Sequence, residues 1–159
     1  MVTQLFQTIA VALFENITVF GALILALFLG LILGLERTIA GRVAGMRTYA
    51  LVSLGACLLI VISETVTARY LGVTAFDPLR VAAGIIMGIG FLAGGLIIFH
   101  DSHVTGLTTA AGVWVSTGIG IAVGFRLYAL AIFTTLLTLF VFSVLWYVEQ
   151  GIKRLSNGS

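Results

Sequence analysis

Charge is what this chain has least of. Only 9% of its 159 residues are Asp, Glu, Lys or Arg, against about a quarter in ordinary soluble domains. It has one cysteine, one proline and two histidines. A single cysteine, Cys57, leaves no disulfide or thiolate cluster to build, and its place inside an apolar run suits packing. No Ser-His-Asp order, phosphate loop, zinc-protease motif or nucleotide fingerprint is present, so nothing supports catalysis or a cofactor. What is present is apolar: 60% of residues are hydrophobic and the mean hydropathy is +1.21. These values define an integral membrane protein.

Charge-free runs set the expected architecture, an all-α protein with five transmembrane helices. The stretches 17–35, 81–99, 104–125 and 127–148 are each long enough to cross a hydrocarbon core of about 30 Å at about 1.5 Å per residue. A fifth, 48–68, reaches spanning length only by passing Glu64, which places that carboxylate at or just inside the far interface. The runs lack the alternation of a barrel strand, and lipid offers bare backbone no partners, so they read as helices. Residues 1–15 are uncharged up to Glu15 but mixed in polarity, with Gln4, Gln7 and Thr8 set against Leu5, Phe6, Ile9 and Leu13. A retained interfacial helix fits this segment. The expected organisation is therefore that helix, a membrane domain over 16–150, and a tail over 151–159.

Five of the eight basic residues fall on one side of such a topology: Arg37, Arg42, Arg47, Lys153 and Arg154. Arg69, Arg80 and Arg126 fall on the other. The positive-inside tendency puts the first loop and the C-terminus in the cytoplasm and the N-terminus outside, with Trp146 and Tyr147 in the interfacial belt of the cytoplasmic side. Gly45-Met-Arg-Thr-Tyr-Ala50 and Gly106-Leu-Thr-Thr-Ala-Ala111 share Gly, Thr and Ala in register, and Gly34-Leu35 matches Gly95-Leu96 at the same offset. Helices one and two therefore read either as a parallel repeat of helices three and four or as a likeness of glycine-rich composition. Glycine, with 19 copies, recurs at four-residue intervals: Gly84 and Gly88, Gly90 and Gly94, then Gly112, Ser116, Gly120 and Gly124. These small faces predict close packing of helices three and four as the core, or association with a second copy as a homodimer. The Phe- and Leu-rich fifth helix is expected to meet lipid.

The motifs taken together resemble a known family. Gly34-Leu-Glu-Arg37, Ala44-Gly-Met-Arg-Thr48 leading to Leu54-Gly-Ala56, Asp77-Pro-Leu-Arg80-Val-Ala-Ala83, Gly88-Ile-Gly-Phe-Leu92, and Gly106-Leu-Thr-Thr-Ala-Ala111 leading to Trp114-Val115 look like the MgtC/SapB family of bacterial inner-membrane proteins. The likeness covers about residues 20 to 125. This chain departs from the pattern at Thr105, where members usually carry a basic residue, and at Ala93-Gly94-Gly95, where they read Gly-Ala-Gly. Longer members also carry an ACT-like C-terminal domain, for which 159 residues leave no room. The resemblance implies a non-catalytic role in adaptation to low magnesium and in survival inside hosts. It also implies action through other membrane proteins, including the ATP synthase and magnesium uptake systems; no nucleic acid is expected.

Weighed on their own chemistry, the residues single out two polar clusters. On the cytoplasmic side, Glu36, Arg37, Arg47, Thr48, Thr108 and Thr109 lie near helix ends. Glu36 and Arg47 read as a compensating pair at the membrane edge, and the threonines as caps for backbone amides. The alternative is a polar pocket for a small ligand or a partner's side chain. On the outer side stand Glu64, Asp77 and Arg80, with Asp77-Pro78 reading as a cap and first turn and Arg80 free to pair with Asp77 or Glu64. A magnesium path needs carboxylate oxygens, yet Glu36 and Asp101 share their rim with Arg37, Arg42 and Arg47, whose charge repels a divalent cation. His100 and His103 are too few to close a metal site. Two functions remain, a regulator that contacts other membrane proteins and a transporter or channel for magnesium or another small ion or solute.

Overall fold

The structure is a computed structural model and describes residues 2–70, 77–100, 103–148 and 151–152. Its elements are α1 (Val2–Ile39), α2 (Met46–Arg69), α3 (Pro78–Gly94), a short hairpin of β1 (Ile98–His100) and β2 (His103–Thr105), α4 (Leu107–Gly124) and α5 (Tyr128–Phe140). A single π-helical turn, Val141–Leu145, continues α5. Segments Ile17–Ile39, Met46–Ala68, Leu107–Gly124 and Tyr128–Val148 are long and apolar enough to cross a membrane. The segment 1–15 was expected as an interfacial helix; its residues 2–15 run into the first span without a break in α1.

Residues 81–99 are not one helix, which corrects the expected bounds of the third helix. Helix α3 starts three residues earlier, where the Asp77 carboxylate accepts from the Leu79 amide at 2.9 Å and Pro78 occupies the first turn. It stops at Gly94, and Ile98–His100 pairs antiparallel with His103–Thr105. At 17 residues α3 rises about 25 Å, the lower limit for crossing a hydrocarbon core. Its sequel escapes bare backbone by pairing with the chain that leads into α4. Gly106 makes that return possible: its φ is +87°, and a Cβ there would run into the Leu96 carbonyl.

Helix ends are built without the expected threonine caps. Both α2 and α4 begin after a glycine, Gly45 and Gly106, and neither has a side-chain cap from its own first turn. Thr48 and Thr108 are exposed. The Thr38 hydroxyl of α1 does the work for α2, accepting from the Met46 amide at 3.1 Å while donating to the Gly34 carbonyl at 2.9 Å. Helix α1 closes with Gly41 at φ +66° and paired bonds from Gly41 and Arg42 amides to the Thr38 and Arg37 carbonyls. Helix α4 closes in the same way with Arg126 at φ +61°, a position that glycine usually takes.

The core is α1, α2 and α4, whereas the sequence pattern favoured α3 and α4. A Cβ on Gly30 would stand 2.8 Å from Ser53 Cβ, and one on Gly34 2.6 Å from Met46 Cα. On the other side of α2, Gly120 lies against the Ser53 carbonyl, and a Cβ on Gly124 would stand 2.6 Å from Ile60 Cβ. Tyr49, Ser53 and Ile60 thus meet Ser116, Gly120 and Gly124 in rising order, so α2 and α4 run parallel. Lipid tails are as apolar as leucine, and such close backbone approach is what holds membrane helices together. Helix α5 turns Leu130, Phe133, Leu136, Leu137 and Phe140 outward, while Leu139 packs against the core. The shared direction of α2 and α4 agrees with a repeat, but their connections differ: a tight loop joins α1 to α2 and a hairpin joins α3 to α4.

Candidate functional site: a buried arginine at the hairpin end

The C-terminus of α1, the N-termini of α2 and α4, the hairpin and the π turn all gather at one end of the bundle. Arg37, in the last turn of α1, is buried there with 3% of its surface exposed. Its Nε donates to the Glu36 carboxylate. Its Cζ lies 3.7 Å from the centroid of the Phe142 ring, and Nη2 donates to the Phe142 carbonyl at 3.5 Å. A desolvated guanidinium stacked on an aromatic face gains about 2 kcal/mol or more, and the carboxylate offsets its charge. Glu36 keeps 22% of its side chain exposed, so the pair sits at the rim.

The π turn makes this stacking possible. An i→i+5 turn shifts every later side chain around the axis, and such turns are frequent at functional sites. Within Val141–Leu145, Phe142 is buried while Val141, Val144 and Leu145 are exposed. The inward ring rests on Gly112 of α4, where a Cβ would stand 2.6 Å from Phe142 Cζ. The Tyr49 hydroxyl crowds the same face of Gly112 and donates to the Thr109 carbonyl at 3.2 Å. Ser116 Oγ donates to the Tyr49 carbonyl at 3.0 Å. One continuous contact therefore joins Arg37 of α1, Phe142 after α5, Gly112 and Thr109 of α4, and Tyr49 of α2.

Of the residues expected at this end, the structure brings together Glu36, Arg37 and Thr109. The expected Glu36–Arg47 pair is corrected: Glu36 bonds to Arg37, and Arg47 is exposed with no ion pair among the described residues. A cation one residue away on the same turn reaches Glu36 more directly than one across the loop. Thr109 contributes its carbonyl, while Thr48 and Thr108 stand outside the cluster. At the opposite end, Arg80 makes no ion pair with Glu64 or Asp77, so that trio is three separate groups, of which Asp77 caps α3. Gly112, Gly120 and Gly124 are pressed against neighbours, whereas Gly84, Gly88, Gly90 and Gly94 have nothing within 4 Å. Asp101 lies outside the described residues, among which no group of three metal-binding side chains occurs.

Thr38, Tyr49 and Phe142 were missed in the sequence, whereas Ser116 was expected on the packing face of α4, where it meets α2. Tyr49 carried a usable signal, a polar aromatic residue two positions after Arg47 in an apolar run. Phe142 carried none, because its partner lies 105 residues away and no local pattern marks a π turn.

An all-α, multi-pass membrane protein whose helices are tied at one end by a buried, aromatic-stacked arginine is the class that the fold and this cluster define. Residues 23–150 match the model of the MgtC family, and the chain belongs to that family. It is 37% identical over 114 residues to the "Putative magnesium transporter YhiD" of Escherichia coli K12, covering 70% of this chain and 53% of that protein. It is 38% identical over 133 residues to protein MgtC of Salmonella typhimurium LT2, covering 84% of this chain and 54% of that one. An uncharacterized protein of Haemophilus influenzae is 34% identical over 147 residues, covering 90% of this chain and 62% of its own length. The chain thus spans about half the length of the curated relatives it matches. No solved structure matches it.

Proposed function

We propose that this chain is a non-catalytic membrane module that serves adaptation to low magnesium by contacting and regulating other membrane proteins. The observation that carries the reading is the state of its best-placed carboxylate. Glu36 is engaged by Arg37, and exposed Arg42 and Arg47 stand at the same end. A divalent cation approaching there meets a neutralised carboxylate amid positive charge, the reverse of the oxygen-rich site that magnesium needs. Glycine-to-backbone packing fills the α1–α2–α4 core, so the interior reads as a scaffold. In this reading the protein lies in the bacterial inner membrane with the hairpin end cytoplasmic, as the distribution of Arg and Lys favours. The loop of Arg42 and Val43, both exposed, then faces partners such as the ATP synthase or magnesium uptake systems.

Photo-crosslinking from position 43 in cells grown at low magnesium tests this. A defined adduct with one of those membrane proteins is the expected result; adducts with lipid alone would contradict it. The second reading is a transporter of magnesium or another small solute. The name of the Escherichia coli relative and the parallel, glycine-capped α2 and α4 favour it.

A further inference from the structure

Helices α2 and α3 diverge around an open groove of about 670 Å³ within the membrane-spanning depth. Leu51, Gly55 and Leu59 line one wall, and Gly84, Gly88 and Leu92 the other. Each set repeats every fourth residue, so each forms one stripe along its helix. Extended by one further turn, each stripe begins with an arginine. Arg47 precedes Leu51 at the hairpin end, and Arg80 precedes Gly84 at the opposite end. Both arginines are exposed, and neither has an ion-pair partner among the described residues. Gly55, Gly84 and Gly88 have nothing within 4 Å of where a Cβ would stand, so the groove is open because side chains are missing from its walls. The hydroxyl of Thr117 on its floor already donates to the Val113 carbonyl at 3.0 Å. The lining therefore suits hydrocarbon alone.

The ends differ in charge. Arg69, Arg80 and Arg126 share their end with Glu15, Glu64 and Asp77, three charges of each sign. At the hairpin end, Arg42 and Arg47 are exposed, while Glu36 is committed to Arg37. From Arg47 to Leu59 the α2 stripe runs about 18 Å, close to the depth of one leaflet of a core about 30 Å thick. We propose that the groove holds one phospholipid, its acyl chain between the stripes and its anionic headgroup on Arg47. The occupant is a lipid of the hairpin-side leaflet, because only that end presents unbalanced positive charge beside an apolar slot.

Native mass spectrometry of the full chain, titrated with phosphatidylglycerol and with phosphatidylcholine, tests the assignment. One phosphatidylglycerol should be retained in preference to phosphatidylcholine. Arg47→Gln should weaken it about fivefold, the worth of one cation near an anionic headgroup, while Arg80→Gln leaves it unchanged. Gly88→Leu and Gly55→Leu, which fill the slot from opposite walls, should each remove the bound lipid while helical content stays constant. Equal retention of both lipids would overturn the proposal, as would insensitivity to Arg47→Gln. So would a change of oligomeric state on filling the groove with no change in bound lipid, which would make the slot a contact between copies.

Discussion

Replacing Arg37 with methionine keeps most of the buried volume and removes the charge, which isolates what the guanidinium contributes. Three interactions go: the stack on Phe142 at 3.7 Å, the bond to its carbonyl, and the pair with Glu36. Stacking of a desolvated guanidinium is worth about 2 kcal/mol. Breaking a fully buried pair costs about 3–5 kcal/mol because one charge is stranded. Glu36 reaches solvent with 22% of its side chain, so water screens part of that loss. We expect Arg37→Met to destabilise the fold by about 2–4 kcal/mol. Adding Glu36→Gln should return about 1–2 kcal/mol, since the stranded carboxylate is then neutral. Arg37→Lys should fall between wild type and Arg37→Met, keeping charge without the planar fork. The assay is reversible unfolding in mixed micelles, followed by helical signal, for the four corners of the cycle. Additivity of Glu36→Gln and Arg37→Met to within about 0.5 kcal/mol would refute the coupling.

Gly120→Ala should destabilise by about 1–3 kcal/mol through overpacking against the Ser53 carbonyl, whereas Gly90→Ala, with open space around it, should change stability little; the same unfolding assay compares them. Tyr49→Phe removes the bond to the Thr109 carbonyl and should cost about 0.5–1.5 kcal/mol without changing the helical content read by circular dichroism. Arg126→Gly relieves a left-handed residue after α4 and should stabilise by up to about 1 kcal/mol, seen as a higher Tm.

The membrane class was fully legible in composition, and the helices in the apolar runs, because lipid leaves helix as the only open choice for such stretches. The end of α3 was not, since Leu96 to Phe99 is as apolar as the helix before it, and the hairpin depends on pairing with His103–Thr105. Four-residue glycine spacing was equally plain on α3 and α4, yet only α4 turns that face to a neighbour. Spacing shows that a close approach is allowed and not which helix makes it. At the site, Glu36 and Arg37 stood out as charges at a membrane edge. Their mutual bond was hidden by an expectation that a pair would cross the loop to Arg47. Phe142 depends on a π turn and a partner on α1, and neither leaves a trace in local sequence.

The proposed function has this module act on other membrane proteins without itself conducting magnesium. The most direct test is to reconstitute the folded protein into liposomes that enclose a magnesium-sensitive dye and to follow uptake against empty vesicles, with and without a membrane potential. Uptake no faster than in empty vesicles is the expected result. Saturable uptake abolished by Glu36→Ala in protein that remains folded would contradict it and make this chain a transporter.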